Sequence, residues 1–185
     1  MNETRDGKTR GGELHAPVAR GKGLIRSLAR GFARTKKRTP VEAATGHLPE
    51  PSVCRTCGAV FADRRWRPAR GVSGALLERA RWVHCPACKQ TAERSGFGRV
   101  VIRGTYALAN EAVIRRRVAN VASRATRTQP ERRISFIDRH DDMIEIVTTS
   151  QKLAHRIVHE LKKLFRGRAA YRWSDDGTLL ATWER

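Results

Sequence analysis

The spacing of hydrophobic positions predicts two amphipathic helices towards the C-terminal end of the chain. Within residues 107–127, the apolar stripe of the first helix comprises Ile114, Val118, Val121 and Ala125. The stripe of the second helix comprises Leu153, Ala154, Ile157, Val158, Leu161, Leu164 and Phe165. Both stripes recur at three- and four-residue intervals, so one side of each helix is expected to face a core. Thr149 or Ser150 can cap the second helix, and Gly167 ends it.

Alternating apolar and polar residues predict five strands around these helices. The predicted strands are residues 99–106, 132–138, 143–149, 169–174 and 178–184. A polar Arg-His-Asp-Asp turn joins the second strand to the third, and Asp176-Gly177 supplies the positive φ angles of a tight turn between the last two. The order β-α-β-β-α-β-β predicts an α+β fold, most simply a ferredoxin-like plait with an added C-terminal strand.

Composition divides the chain into three predicted segments. Residues 1–48 combine Gly, Arg, Lys, Thr and Pro with few large apolar groups, so we expect a basic arm that is disordered when free and able to form a helix near residues 23–34. An organellar presequence has a similar composition, and both interpretations stay open. Residues 49–98 are predicted to form a small cysteine-containing domain. Residues 99–185 are predicted to form the α+β sandwich domain, after a flexible junction at Gly96 and Gly98.

All four cysteines of the chain stand in two Cys-x-x-Cys pairs, formed by Cys54, Cys57, Cys85 and Cys88. Two such pairs brought together offer four thiolates at the corners of a tetrahedron, which is the ligand set of a structural zinc ion. Gly58 follows the first pair and Pro86 lies inside the second, as expected for tight turns in which backbone amides point at sulfur. The sequence therefore predicts a zinc ribbon with two Cys-x-x-Cys knuckles and one structural zinc ion.

The spacer between the two cysteine pairs is longer than in a compact ribbon, which has about fifteen to twenty residues. We therefore expect the spacer to carry structure of its own. Ser73 is predicted to cap a short helix, and Trp66 and Trp82 are predicted to cover the metal. The helix would contain Leu76, Leu77 and Ala80.

Two other uses of the cysteines are open, namely disulfides and a thiol redox enzyme. Nothing in the sequence indicates secretion, which disfavours disulfides. A redox site requires one pair in a strand-to-helix context, whereas polar turn residues follow both pairs here. Four thiolates close the coordination shell of zinc, so His84 is predicted to be a bystander.

The remaining titratable clusters do not resemble a catalytic set. His140, Asp141 and Asp142 lie in a predicted hairpin turn, where Asp is favoured because it bonds the local backbone. His155 and His159 have the spacing of metal ligands on a helix but lack the Glu and third ligand of an HExxH site. We therefore expect them to be solvated or to face phosphate. The chain is predicted not to be an enzyme and to have no small-molecule substrate.

The chain is strongly basic, with 38 Lys and Arg against 18 Asp and Glu, and all three segments are positive. A net charge of +20 favours nucleic acid, because binding releases counterions. The predicted partner is nucleic acid, either structured RNA or, if the chain is instead a regulator, DNA, and an anionic membrane is a distant second. The predicted contacts are Arg26, Arg30, Arg34, Lys36, Lys37, Arg38, Arg64, Arg65, Arg116, Arg156, Lys162 and Lys163. No apolar run is long enough to span a membrane, and a cytoplasmic location is expected.

Three aromatic residues near the C-terminal end form a further candidate surface. Tyr171 and Trp173 alternate on one predicted strand and Trp183 lies on its neighbour, so the three are expected to share a face of the sheet. They either stack on bases or close the core under the helices, and packing is the commoner role of large aromatic residues. If both helices cover one face of the sheet, the other face is expected to be open to RNA.

The chain resembles an uncharacterised bacterial zinc-ribbon family in VCRTCGAVF, HCPACK, DMIEIVTTSQKLAHRIVHEL and the C-terminal hairpin, over roughly residues 50–185. That family is similar to the N-terminal region of the archaeal and eukaryotic adaptor that exports the large ribosomal subunit and is named after nonsense-mediated decay. The resemblance implies association with the ribosome or ribosomal RNA, with the four cysteines as metal ligands. The adaptor has more cysteine pairs, later domains and export signals, so the resemblance does not extend to export.

Overall fold

The computed structural model describes residues 48–70 and 72–185, which fall within one compact unit. The helix predicted near residues 23–34 lies outside the described residues. The same is true of six predicted RNA contacts, namely Arg26, Arg30, Arg34, Lys36, Lys37 and Arg38. Within the described residues the chain forms five helices, nine strands and two mixed sheets, so the predicted α+β class is confirmed.

The elements follow one another in an order that matches the predicted alternation after the cysteines. The strands are β1 (Ser52–Cys54), β2 (Val60–Ala62), β3 (Arg65–Arg67), β4 (Arg81–Val83), β5 (Gly98–Arg103), β6 (Ile134–His140), β7 (Met143–Thr148), β8 (Arg168–Trp173) and β9 (Leu179–Glu184). The helices are α1 (Gly74–Glu78), α2 (Pro86–Ala92), α3 (Thr105–Ala109), α4 (Glu111–Thr128) and α5 (Gln151–Phe165). The predicted first helix is thus divided at Asn110, and Tyr106, predicted to end a strand, lies in α3.

The smaller sheet has the strand order β3-β2-β1-β4 and carries the cysteines. Strands β1, β2 and β3 pair antiparallel, as successive strands joined by tight turns do. Strand β4 instead pairs parallel with β1, so that Cys54 lies opposite Val83. The long spacer between the cysteine pairs makes this parallel return possible, because parallel neighbours require a crossover connection.

The larger sheet has the strand order β6-β7-β5-β9-β8. Strand β5 pairs antiparallel with β7 and parallel with β9, and β8 and β9 form a hairpin. The C-terminal strand therefore lies inside the sheet, between β5 and β8. The predicted plait with an added strand did not specify this position.

The main core lies between the larger sheet and helices α4 and α5. Ile102 of β5, Ile144 of β7 and Trp183 of β9 are fully buried there, against the predicted stripes of both helices. Leu164 is 50% exposed, so its predicted place in the stripe is wrong. The opposite face of the sheet was expected to be open, but side chains on its central strands are buried as well. These include Val101, Met143, Glu145, Val147 and Leu180.

Candidate metal centre

Both cysteine pairs begin at the carboxyl ends of neighbouring parallel strands. Cys54 is the last residue of β1, and Val83, its partner in the pairing register, is the last residue of β4. Since parallel strands end at the same edge of a sheet, the loops that follow β1 and β4 meet there. This pairing brings together two pairs that are far apart in sequence.

The first pair lies in the predicted tight turn. The amide of Gly58 donates to the carbonyl oxygen of Cys54 at 2.9 Å, and the amide of Cys54 donates to the carbonyl of Ala59 at 2.8 Å. Gly58 has a φ of 69°, in the left-handed region that glycine adopts without steric cost. The turn directs both sulfurs of the pair to one side of the chain.

The second pair begins a helix rather than lying in a free turn. Cys85 caps α2, Pro86 is its first residue, and the amide of Cys88 donates to the Cys85 sulfur at 3.4 Å. Proline fits this first position because its φ is already helical and the missing amide has no partner there. The amide of Cys85 donates across the site to the sulfur of Cys54 at 3.3 Å.

The four sulfur atoms form a cluster with the dimensions of a tetrahedral metal site. All lie within 4.8 Å of one another, and those of Cys57 and Cys85 are 3.8 Å apart. Two sulfurs bound to one zinc ion at about 2.3 Å lie about 3.8 Å apart, whereas a disulfide brings them to about 2.05 Å. All four cysteines are free. The cluster therefore fits a structural metal ion, in agreement with the predicted ligands Cys54, Cys57, Cys85 and Cys88.

The surroundings of the sulfurs affect their protonation in different ways. Burial raises the pKa of the Cys54 thiol, but amide hydrogen bonds, led by that from Cys85, outweigh burial and lower the pKa to about 6. Burial raises the pKa of Cys85 and of Cys88 above the ordinary value. Without metal, the site thus combines one easily ionised thiol with two that retain their protons at neutral pH.

Arg133 supplies a positive charge beside the cluster and was not predicted as part of the site. Its Nη1 donates to the sulfur of Cys88 at 3.4 Å, and its Nε donates to the carbonyl of Pro130. Burial opposes the charged guanidinium, but the sulfurs of Cys57, Cys88 and Cys85 outweigh it and raise the pKa of Arg133. Nothing in the sequence distinguishes Arg133 from its neighbour Arg132, because the contact depends on how β6 meets α2.

The residues predicted around the metal are only partly in place. Trp66 packs against the cysteine cluster as expected, whereas Trp82 is 58% exposed and does not cover it. The Nδ1 atom of His84 lies 3.1 Å from the hydroxyl of Thr56, and His84 is not in the cluster of sulfur ligands. Ser73 precedes α1 at the predicted position, but its side chain makes no capping hydrogen bond.

Six of the twelve predicted RNA contacts are within the described residues, and all six side chains are exposed. Arg64 and Arg65 lie at the turn between β2 and β3. Arg116 lies on α4, which packs against α5. The predicted RNA contacts on α5 are Arg156, Lys162 and Lys163. The structure therefore brings four of these side chains to one helix pair and places the other two on the smaller sheet.

The three aromatic residues share one face of the sheet, as predicted, but their side chains are exposed to different degrees. The register places Trp183 opposite Ala169 and Tyr171 opposite Ala181, so the three aromatic side chains lie on the helix side of the sheet. Trp183 is fully buried, and its Nε1 donates to the carbonyl of Arg166 at 2.8 Å. Tyr171 is 39% exposed and Trp173 is 62% exposed. Of the three residues, Trp183 alone packs in the core under the helices.

The hairpin turn and the histidine pair lie where the sequence predicted them. Asp141 and Asp142 form the two-residue turn between β6 and β7, and His140 is the last residue of β6. His155 and His159 lie on the exposed side of α5. Among the described residues, the cysteines form the one cluster with the geometry of metal ligands.

Comparison with models of protein families, with curated proteins and with solved structures gives no match for this chain. In the described ranges, no helix is both long and apolar enough to cross a membrane. The fold and the site define an α+β protein in which four clustered cysteines are suited to hold a structural metal ion.

Proposed function

We propose that this chain is an RNA-binding protein that holds one structural zinc ion and associates with the ribosome or with structured RNA. The observation that carries the proposal is the charge of helices α4 and α5, which contain nine Lys and Arg but two Glu. Both carboxylates are occupied by ion pairs. Glu111 contacts Arg115 and Arg139, and Glu160 contacts Arg117. The other basic side chains of the pair are exposed and available to phosphate.

The same ion pairs stabilise the ionised form of the Glu111 and Glu160 carboxyl groups. The hydrogen bond from Arg115 lowers the pKa of Glu111, and the hydrogen bond from Arg117 lowers the pKa of Glu160. The acidic groups are therefore directed at neighbouring guanidinium groups. The surface of the helix pair is consequently positive, as RNA binding requires.

Zinc is the metal that this ligand set favours, because four thiolates in a tetrahedron select zinc or an iron-sulfur cluster. When bound, zinc supplies a rigid link between the loops that follow β1 and β4. Cys54, Cys57, Cys85 and Cys88 would fill its coordination shell, which leaves no position for a reacting water. The site is thus structural, and the protein is proposed not to be an enzyme.

The ribosome is the first partner to test because the chain resembles a zinc-ribbon family that is itself similar to an adaptor of the large ribosomal subunit, and a cytoplasmic location follows from that role. The protein should co-sediment with ribosomes at low ionic strength and dissociate as salt rises, because phosphate contacts release counterions. Recovery in the free fraction at every salt concentration would eliminate the ribosome as the partner.

A charge-reversed variant tests the helix pair directly. Arg116→Glu combined with Arg156→Glu and Lys163→Glu should lower ribosome binding at least about tenfold. The matched control, with Arg116→Lys, Arg156→Lys and Lys163→Arg, keeps the charge and should bind as the unchanged protein does. Equal binding by the reversed and control variants would show that the helix pair is not the interface.

Two further measurements separate the alternative functions. Affinities for structured RNA and for duplex DNA, measured at one ionic strength, should favour RNA, and a preference for DNA would support the regulator instead. Metal analysis should find one zinc ion per chain, with thiols that react only after chelation. Metal-free protein with a reversible disulfide would support the redox enzyme.

A further inference from the structure

Four ring-bearing side chains form an exposed strip where strand β8 lies against helix α5. His155 and His159 come from α5, and Tyr171 and Trp173 come from β8. The rings of His155 and Tyr171 stack with centroids 4.6 Å apart and planes 26° from parallel. The rings of His155 and His159 are 6.4 Å apart and 12° from parallel. We name these four residues the aromatic strip.

The strip is an exposed extension of the core face of the sheet. Strand β8 pairs with β9 alone and forms one edge of the larger sheet. Tyr171 and Trp173 lie opposite Ala181 and Leu179, which are buried core residues, so their rings emerge on the side of α5. Trp173 is the most exposed large hydrophobic residue in the described part of the chain, at 62%.

The charges around the strip are mostly positive. The exposed residues of α5 include Lys152, Arg156, Lys162 and Lys163, whereas Arg168 and Arg172 of β8 alternate with the rings and so lie on the opposite face of the sheet. The carboxylate of α5, that of Glu160, is paired with Arg117. Asp175 and Asp176 follow Trp173 in the turn to β9. The basic residues of α5 therefore attract phosphates beside the strip, whereas the two aspartates repel phosphates beyond Trp173.

We propose that the aromatic strip binds single-stranded RNA by stacking unpaired bases on Trp173 and Tyr171, while the basic residues of α5 contact the phosphates. The proposal rests on the proposed RNA-binding function and names the site at which single strands are bound. Tyr171 and Trp173 are two residues apart on one face, a rise of about 6.7 Å. This backbone rise is close to twice the roughly 3.4 Å between stacked bases, which is the ring spacing that a base stacked between two rings requires.

The surroundings of the strip favour RNA over a protein partner. The centre of a protein interface is depleted of charged residues, and Lys is depleted there in particular. Here exposed Lys and Arg side chains flank the rings on α5. Base stacking on aromatic rings beside a basic groove is the usual arrangement for single-stranded nucleic acid.

The test uses the full chain with fluorescently labelled oligouridylate and oligoadenylate RNA, and a duplex RNA of equal length. Trp173→Ala and Tyr171→Ala should each weaken single-strand binding about tenfold and duplex binding less than about twofold, as measured by fluorescence anisotropy. Trp173→Phe keeps a ring and should recover most of the affinity. Metal content and far-ultraviolet circular dichroism check that each variant is folded.

Trp82→Ala is the matched control, because Trp82 is 58% exposed but lies on β4 of the smaller sheet. It should bind single-stranded RNA as the unchanged protein does. If Trp173→Ala and Trp82→Ala bind equally well, the strip is not the single-strand site, although the proposed function stands. If the strip variants retain RNA affinity but lose ribosome co-sedimentation, the strip contacts ribosomal protein and the proposal is overturned. If the unchanged protein binds no RNA, both proposals are wrong.

Discussion

Gly98 begins strand β5 at a point where the backbone is closely surrounded. A Cβ atom at this position would lie 2.4 Å from the hydroxyl oxygen of Thr148 and 2.6 Å from the Cβ of Ala154. At Gly96 a Cβ would lie 2.1 Å from the carbonyl oxygen of Thr148. The two glycines were predicted to be a flexible junction. Glycine is instead required at both positions, because β7 and the start of α5 lie too close to leave room for a Cβ atom.

Gly98→Ala should therefore destabilise the protein by about 1–3 kcal/mol, because β5 is paired on both sides and cannot move away from Thr148. Urea unfolding followed by circular dichroism measures the change. Gly74→Ala is the matched control: it lies in α1 with no atom within 4 Å of an added Cβ. This control should be neutral or stabilising by up to about 1 kcal/mol. Equal stability of the two variants would contradict the packing argument.

Exposure of single residues was predicted less well than their secondary structure. The sequence offered Thr149 or Ser150 as the cap of α5, and the hydroxyl of Ser150 accepts from the amide of Leu153, whereas the cap predicted at Ser73 does not form. It wrongly placed Leu164 in the core and Trp82 over the metal. Capping depends on neighbours within one turn of the chain, whereas burial depends on which distant elements pack against a side chain.

At the scale of elements, helix α2 contacts strand β6 through several polar interactions. The hydroxyl of Ser135 donates to the carbonyl of Gln90, and Arg94, just after α2, pairs with Asp138 at 2.6 Å. Arg94 also lies over the ring of Phe136, 4.4 Å from its centroid. Arg133 adds a contact from the residues before β6 to the sulfur of Cys88. The element that carries the second cysteine pair is thus attached to the larger sheet.

Removing the Arg133 charge should weaken metal binding. Four thiolates and one divalent ion carry a net charge of about −2, which the guanidinium partly offsets. We expect Arg133→Gln to lower zinc affinity about tenfold, as measured by competition with a chromogenic chelator. Arg132→Gln, next to it in sequence, is the control and should retain the unchanged affinity. If both variants lose zinc equally readily, the contact between Arg133 and Cys88 does not stabilise the site.

At the scale of the whole molecule, the described residues contain two separate buried clusters. The larger lies between the five-stranded sheet and the helices, with Trp183 and Ile102 among its members. The smaller consists of Cys54, Cys85, Ala87 and Cys88, with Cys57 and Trp66 packed against it. Because the small cluster is mostly cysteine, we expect the sheet of β1 to β4 to depend on a bound metal ion far more than the larger sheet does.

Metal removal should therefore unfold the cysteine-containing part and leave the larger sheet folded. After chelation, hydrogen exchange measured by mass spectrometry should lose protection in residues 52–92 and keep it in residues 98–184. Returning zinc should restore the protection. Unchanged exchange in residues 52–92 would show that the sulfurs do not hold a structural ion.

Acid should release the same metal, because zinc binds thiolates and protons compete for them. Cys54, with a pKa of about 6, is already ionised at neutral pH. Cys85 and Cys88, whose pKa values are raised by burial, must lose protons when metal binds. Apparent affinity should then fall at least about a hundredfold for each pH unit below neutral, because at least these two protons compete with each ion. A pH-independent affinity would show that the ion is not held by thiolates.

The sequence alone determined the features that depend on near neighbours. Helical periodicity, alternation and turn residues predicted the α+β class and the order of elements in residues 98–184, and the Cys-x-x-Cys spacing identified the four cysteines that cluster. These patterns are readable because each depends on residues a few positions apart. The RNA partner and the domain boundaries stay predictions.

Tertiary structure alone decided which distant segments become neighbours. It placed β9 between β5 and β8, paired β1 with β4 in parallel, and brought Arg133 to Cys88. It also separated the buried Trp183 from the exposed Trp173 on the same face of one sheet. The physical reason is that strand pairing and burial are set by contacts between segments far apart in sequence, and no local spacing of residues records those contacts.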